Sequence, residues 1–243
     1  MANCSQRDTY KAAIRFENSK NTKVRQVVKG STIHGSLAWG LYITSSAFVD
    51  VSWTYIVGAR AVGVNLNSIT DTHLLGVGVF DVRKRELIAA RGLTDKEACV
   101  AFCSYWEPNR CDKSSIKDSI AAGCAFAGFV APGDECDDNS NGKFYNNVGH
   151  SNERVGAHIY PDPAESKSGR CYKGSHFAAY KNRECGLSTM YSVREEMRME
   201  YLTMIDNVLG ISLNSAGESD DVLVSMNNVE IYGETKAEDC PQD

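Results

Sequence analysis

The sequence predicts an all-β fold, a parallel β-solenoid with one short helical, cysteine-rich insertion. Three observations predict it. A glycine-centred strand motif recurs along the chain, apolar residues alternate in most of the short segments between, and only one segment carries a helix start signal. The motif reads Trp39-Gly40-Leu41-Tyr42-Ile43, Val62-Gly63-Val64-Asn65-Leu66, Ala127-Gly128-Phe129-Val130, Val155-Gly156-Ala157-His158-Ile159, Cys185-Gly186-Leu187-Ser188 and Leu209-Gly210-Ile211-Ser212-Leu213. Its glycines are 23, 65, 28, 30 and 24 residues apart, and the 65 is two repeats plus roughly 15–20 inserted residues. A single coil of strands cannot bury its own apolar face, so a period in the twenties implies stacked coils. The 243 residues then make about eight coils of one solenoid instead of two globular domains.

In chain order, residues 1–23 are a lead-in, 24–235 the solenoid and 236–243 a tail. Strands are expected at Thr32–His34, Phe48–Tyr55, Leu74–Val79 and Ser115–Ile120, where one face of each would line the core. The insertion spans 84–113. Within it Thr94–Tyr105 reads as a helix: Thr94 is the N-cap and Glu97 completes a capping box, placing Cys99 and Cys103 one turn apart. Two further loops follow, an acidic one at Gly133–Gly142 and a Pro- and Ser-containing one at Tyr160–Gly174. Short apolar segments end on Asn147, Asn182, Asn207 and Asn228. Asparagine tolerates left-handed backbone angles, and its amide can bond an asparagine one coil away. These four are read as a ladder at a bend; the alternative is ordinary strand termination.

Composition bounds the function. Lys+Arg 26 against Asp+Glu 31 gives a formal charge of −5, with 42% hydrophobic residues. That balance excludes wholesale disorder and any global pull toward nucleic acid. The longest apolar run, around Leu74–Phe80, is too short to span a bilayer, so membrane attachment would come only through segments outside this chain. Nine cysteines without a paired Cys-x-x-Cys exclude a zinc ribbon and point to an oxidising, extracytoplasmic compartment. Their odd number, and the absence of a basic-plus-apolar leader, suggest a piece of a larger secreted or membrane-anchored protein. Asn3-Cys4-Ser5 is the one glycosylation sequon.

Specific runs resemble a known module. Ser31-Thr32-Ile33-His34-Gly35-Ser36, Gly40–Ile43 and Val49-Asp50-Val51 are similar to the β-helix region of fibrocystin and fibrocystin-L. So are Ala121-Ala122-Gly123, Ala127-Gly128-Phe129 and, most specifically, Lys143-Phe144-Tyr145-Asn146-Asn147-Val148-Gly149-His150-Ser151. The same region occurs in cell-surface hyaluronan-processing proteins, and the likeness covers most of 25–234. The resemblance implies a right-handed parallel β-helix in a very large, mostly extracellular protein of cilia or other surface projections. It also implies that Cys136 and Cys171, in loops of neighbouring coils, form a disulfide. Cys99, Cys103, Cys111 and Cys124 would staple the insertion in an order the sequence leaves open.

Candidate chemistry is sparse. His34, Asp71 and His73 could form an acid–base constellation of the kind glycan-cleaving β-helices need; the alternative is hydrogen-bonded turn histidines. The hyaluronan-processing relatives carry an acidic Glu-Asp-Gly stretch where this chain reads Val64-Asn65-Leu66-Asn67-Ser68. Asp134, Glu135, Asp137 and Asp138 read as a solvated loop rather than a Ca²⁺ site, because no fixed glycine spacing accompanies them. Tyr105, Trp106 and Tyr191 are either sugar platforms or loop anchors. No cofactor or metal is expected. The reading is a non-enzymatic extracellular module for scaffolding, assembly or adhesion, partnered by neighbouring domains, other subunits or glycans; a glycan-binding or glycan-cleaving β-helix is the alternative.

Overall fold

The computed structural model describes residues 12–20, 24–83, 98–103, 111–136, 143–160, 172–189, 196–213 and 224–234. The chain runs through parallel strands coil after coil. The first coil holds β1 (Ala12–Glu17), β2 (Gln26–Lys29) and β3 (Thr32–His34), and the second β4 (Trp39–Thr44), β5 (Val49–Ser52) and β6 (Tyr55–Val57). The third adds a short strand: β7 (Val64–Asn67), β8 (Ile69–Thr70), β9 (His73–Leu75) and β10 (Gly78–Phe80). The fourth repeats it with β11 (Val100–Phe102), β12 (Cys111–Asp112), β13 (Ser115–Lys117) and β14 (Ile120–Ala122). Next come β15 (Ala127–Pro132), β16 (Asp134–Glu135), β17 (Phe144–Tyr145) and β18 (Asn147–His150). The last three coils simplify to pairs: β19 (Val155–Tyr160) with β20 (Tyr172–Tyr180), β21 (Cys185–Thr189) with β22 (Met197–Ile205), and β23 (Leu209–Ser212) with β24 (Val224–Tyr232).

These strands stack into three main sheets. The first is β1-β4-β7-β11-β15-β19-β21-β23; the second is β2-β5-β9-β13-β17; the third is β3-β6-β10-β14-β18-β20-β22-β24, with β16 antiparallel on β20. Among the described residues six rungs of the first sheet, β4 to β21, are covered on both sides, and one rung at each end on one side only. The parallel β-solenoid expected from the sequence is therefore the fold.

The interior is built of columns. Ile14, Leu41, Val64, Val100, Phe129, Ala157, Leu187 and Ile211 register one below the next in the first sheet. Ile33, Ile56, Val79, Ala121, Gly149, Ala179, Met204 and Ile231 do so in the third. Period-2 alternation turns these positions inward, and fully burying one of the larger side chains, Val, Leu, Ile, Phe or Met, stabilises the fold by about 1.5–3 kcal/mol. At the level where the columns narrow to Ala121, Gly149 and Ala157, the rings of Phe129, Phe144 and Phe177 meet with centroids 5.3–6.2 Å apart.

The motif glycines also form a column. A Cβ on Gly128 would stand 2.5 Å from the Gly156 carbonyl oxygen, and one on Gly156 would stand 2.5 Å from that of Gly186. At Gly128 and Gly156 adjacent coils approach too closely for a Cβ, which explains the glycines there. Within the 65-residue gap the equivalent position is Cys99, since Val100 registers with both Val64 and Phe129.

Corners are made by left-handed residues, and every positive-φ residue described lies at one. Asn18, Ser45, Ser68 and Cys103 end the first sheet; Phe48, Asp71 and Lys113 precede the second. Gly30, Trp53, Gly76, Asp118, Asn146, His176, Tyr201 and Asn228 turn from the second sheet into the third, or bend the long strands there. Gly35, Gly58, Asp81, Gly123, Ser151, Lys181 and Asp206 return to the first. A non-glycine residue in this region costs about 1–2 kcal/mol, which the stacked ladder on both sides overrides.

Three expectations change. The segments Phe48–Tyr55, Leu74–Val79 and Ser115–Ile120 each divide into two strands around a left-handed residue: Trp53, Gly76 and Asp118. The helix over Thr94–Tyr105 gives way at Val100–Phe102, which is a ladder strand with Val100 and Phe102 fully buried. Pairing with β7 and β15 on both sides outweighs a local capping signal; 84–97 and 104–110 lie outside the described residues. The lead-in of 1–23 contains β1, paired in parallel with β4, so the solenoid has begun by Ala12. The tail 236–243 lies outside the described residues.

Candidate functional site

The outer face of the second sheet gathers a connected polar cluster. Strand β5 buries Val49 and Val51, which turns Asp50 outward; β9 buries Leu74, which turns His73 outward opposite Asp50, with Ser115 of β13 next in line. Asp71 sits at a left-handed corner (φ 46°) just before β9. Arg25, just before β2, reaches down the stack. One terminal nitrogen donates to Asp50 Oδ1 at 2.7 Å and to the Asp71 carbonyl at 3.2 Å; the other donates to Asp71 Oδ1 at 2.8 Å. His73 Nε2 lies 2.9 Å from Asp71 Oδ1, and Nδ1 lies 3.0 Å from Ser115 Oγ. A carboxylate only accepts, so in the neutral ring Nε2 carries the proton and Nδ1 accepts the Ser115 hydroxyl.

Hydrogen bonding from Arg25, with a smaller contribution from His73, holds Asp71 below the usual carboxylate range, and Arg25 is raised in turn. Asp71 is thus kept ionised: it accepts hydrogen bonds and orients His73. The cluster lies at the surface, with side chains of Arg25, Asp50 and Asp71 35%, 34% and 26% exposed, so its ion pairs add no more than about 1 kcal/mol.

Of the three candidate catalytic residues, the structure brings together Asp71 and His73. His34 is in β3, a strand of the third sheet, where it registers with Val57 instead. Three other histidines are packed. His150 stacks on Tyr180 at 4.3 Å, and His176 lies between Tyr145 and Tyr201 at 4.5 and 4.7 Å. His158 bonds Ser188 and stacks on Phe126 at 5.1 Å; burial, aided by Arg154, pushes it down to about 4.

The asparagines divide. Asn182 and Asn207 stack with side-chain amides bonded, and Asn152 joins them above. Asn147 sits elsewhere, accepting from the Ser119 amide and donating to the Ile116 carbonyl, because β18 registers Asn147 with Phe177. Asn228 is an exposed left-handed corner residue. The missed signal was phase: Asn152 and Asn182 each precede a motif glycine by four residues, and Asn207 by three.

Disulfides join Cys99 to Cys124 and Cys103 to Cys111, fixing the order left open for the insertion. Cys136 is also disulfide-bonded; Cys171 lies outside the described residues, as do Asn3, Asp137, Asp138, Tyr105, Trp106 and Tyr191. Cys185 is a buried free thiol raised by its burial. Asp134 is buried and accepts the Lys143 amide. Among the described residues no group of three or more His, Cys, Asp or Glu is placed to hold a metal ion, and no helix is long and apolar enough to cross a membrane.

No protein-family model matches the chain, and no curated protein matches it. Among solved structures, the catalytic domain of a GH87 alpha-1,3-glucanase in complex with nigerose is similar over 88% of this chain, at 15% identity and a TM-score of 0.44. The chain spans 43% of that protein's length. A likeness of that degree bears on neither activity nor substrate.

Proposed function

We propose that this chain is a non-enzymatic, extracellular β-helix module of a large fibrocystin-like surface protein, serving as a stiff scaffold that assembles through the ends of its solenoid. The observation that carries this reading is the last rung. Met226 and Ile231 are 52% and 57% exposed, whereas Met199 and Met204, one rung earlier in the same columns, are fully buried. Among the described residues β24 pairs on one side only, along nine residues. An apolar cross-section beside an open strand edge is a surface that natural proteins cover. In a module set among neighbouring domains or other subunits, those supply the cover.

Light scattering across a concentration series tests the reading, together with hydrogen exchange of β24. Self-association abolished by Met226→Lys with Ile231→Lys is the expected result. A strictly monomeric chain whose β24 amides are as protected as those of β20 overturns it. So does turnover of hyaluronan or pectin that His73→Ala abolishes, because Asp71 and His73 would then be catalytic.

A further inference from the structure

We infer that coils two to four carry a carbohydrate-binding face, centred on Trp53 and Tyr55, for a neutral pyranose chain. Trp53 occupies the corner between the second and third sheets and is 52% exposed. Its neighbours in that corner column are Gly30 above and Gly76 below, so no other ring stacks on it within the column. A Cβ on Gly76 would lie 2.5, 2.6 and 3.1 Å from Cε3, Cζ3 and Cδ2 of the indole. Three consecutive atoms of the six-membered ring at such short range place Gly76 under the ring's face, not at its edge. The indole therefore lies flat on the corner with its second face outward.

Tyr55, two residues on, also packs beside a glycine: a Cβ on Gly78 would stand 2.6 Å from its Cδ1 and 2.7 Å from Cε2 of Phe80, and the Tyr55 ring is 46% exposed. Leu75 and Ile120, 39% and 40% exposed, extend the apolar strip. Elsewhere along the corner the aromatic rings behave differently. There His176 is sandwiched between Tyr145 and Tyr201, each of which gives one face to it. Glycine at 76 is what lets the Trp53 ring lie flat with one face outward.

A sugar ring offers an apolar C–H face with a rim of hydroxyls, and this surface matches both parts. The flat rings meet the C–H faces. The outward residues of the adjoining strands supply acceptors and donors, Ser52 and Lys117 roughly 3 Å and Asp50, His73 and Ser115 roughly 10 Å before the corner, given about 3.3 Å per residue. The polar side chains carry both signs of charge, so the complement is a neutral chain, not a polyanion. The rigid ladder beneath holds the platforms in place before binding, which lowers the entropic cost of association.

The inference goes beyond the scaffold reading and fails separately, since a module that binds no sugar remains a scaffold. The test is affinity electrophoresis and tryptophan fluorescence of the whole chain with soluble β-1,3-glucan, α-glucan and xylan, beside hyaluronan and polygalacturonate. Retardation by at least one neutral polymer is expected, weakened about tenfold or more by Trp53→Ala or Tyr55→Ala and largely kept by Trp53→Tyr. Both side chains lie on the surface, and melting curves within a few degrees of wild type establish that the variants fold. Absence of retardation by every neutral polymer overturns the proposal. Binding that Trp53→Ala leaves unchanged, or binding confined to the polyanions and removed by Lys117→Ala, does so as well.

Discussion

Asn182 donates its side-chain amide to Asn207 Oδ1 at 2.8 Å, and its own Oδ1 accepts from the Asn152 amide group at 2.9 Å. The same oxygen accepts the Asn152 backbone N–H, and the Asn182 amide also donates to the Gly149 carbonyl at 3.1 Å. One buried side chain thus bonds polar groups of the coils on both sides of its own at the return to the first sheet. Replacing it by alanine would remove these bonds to the Gly149 carbonyl and to the Asn152 amide and backbone N–H, while Asn207 Oδ1 would keep the Asn182 backbone N–H. Asn182→Ala should cost about 2–4 kcal/mol, read as a lower urea midpoint. Asn147→Ala, which removes bonds to the Ser119 amide and Ile116 carbonyl, should cost less, about 1–2 kcal/mol.

The glycine column predicts a steric contrast. Gly156→Ala drives a methyl to within 2.5 Å of a backbone oxygen in the next coil, and neither coil can move without breaking ladder pairs. A loss of about 3 kcal/mol or more is expected in thermal melts. Gly174→Ala meets only the Met199 thioether, at 3.1 Å, and a flexible side chain can yield. That variant should melt near wild type.

His158 predicts a pH dependence. Burial, with Arg154 nearby, lowers it from 6.5 to about 4, while Glu184 opposes. In the unfolded chain the ring takes up its proton near 6.5, so between 6.5 and 4 the unfolded state binds more protons than the folded one. Its contribution is fully present above 6.5 and is lost as pH falls toward 4, by at most about 3 kcal/mol. Denaturation midpoints should fall across that window in wild type and fall less in His158→Gln. Equal pH profiles would show that His158 is not the group responsible.

Much of the coil was legible because its physics repeats. A side chain that would strike the next coil's carbonyl is excluded wherever two coils approach that closely, so Gly128, Gly156 and Gly186 announce themselves by spacing. Asn182 and Asn207 were found for the same reason, while Asn147 was grouped with them through a shared Asn-ended strand that in fact belongs to another register. The strands around Trp53, Gly76 and Asp118 looked continuous, because a tryptophan or aspartate in the left-handed region leaves no compositional mark. The insertion misled because a capping box is local and Val100–Phe102 answers to neighbours 36 and 29 residues away.

By itself the sequence determined the solenoid, its parallel stacking and its glycine-marked close approach, since these follow from short-range sterics and alternation repeated at a near-constant period. Only the tertiary structure decided which side chains share a face. Asp71 and His73 meet Arg25 and Ser115 because coils from residues 25 to 115 are laid in one register, while His34 is turned onto another sheet by the corner at Gly30. Trp53 lies flat because the residue one coil below it happens to be Gly76. Such neighbours are set by how many residues each coil spends on its corners and loops, a quantity that varies from coil to coil and that no local pattern encodes.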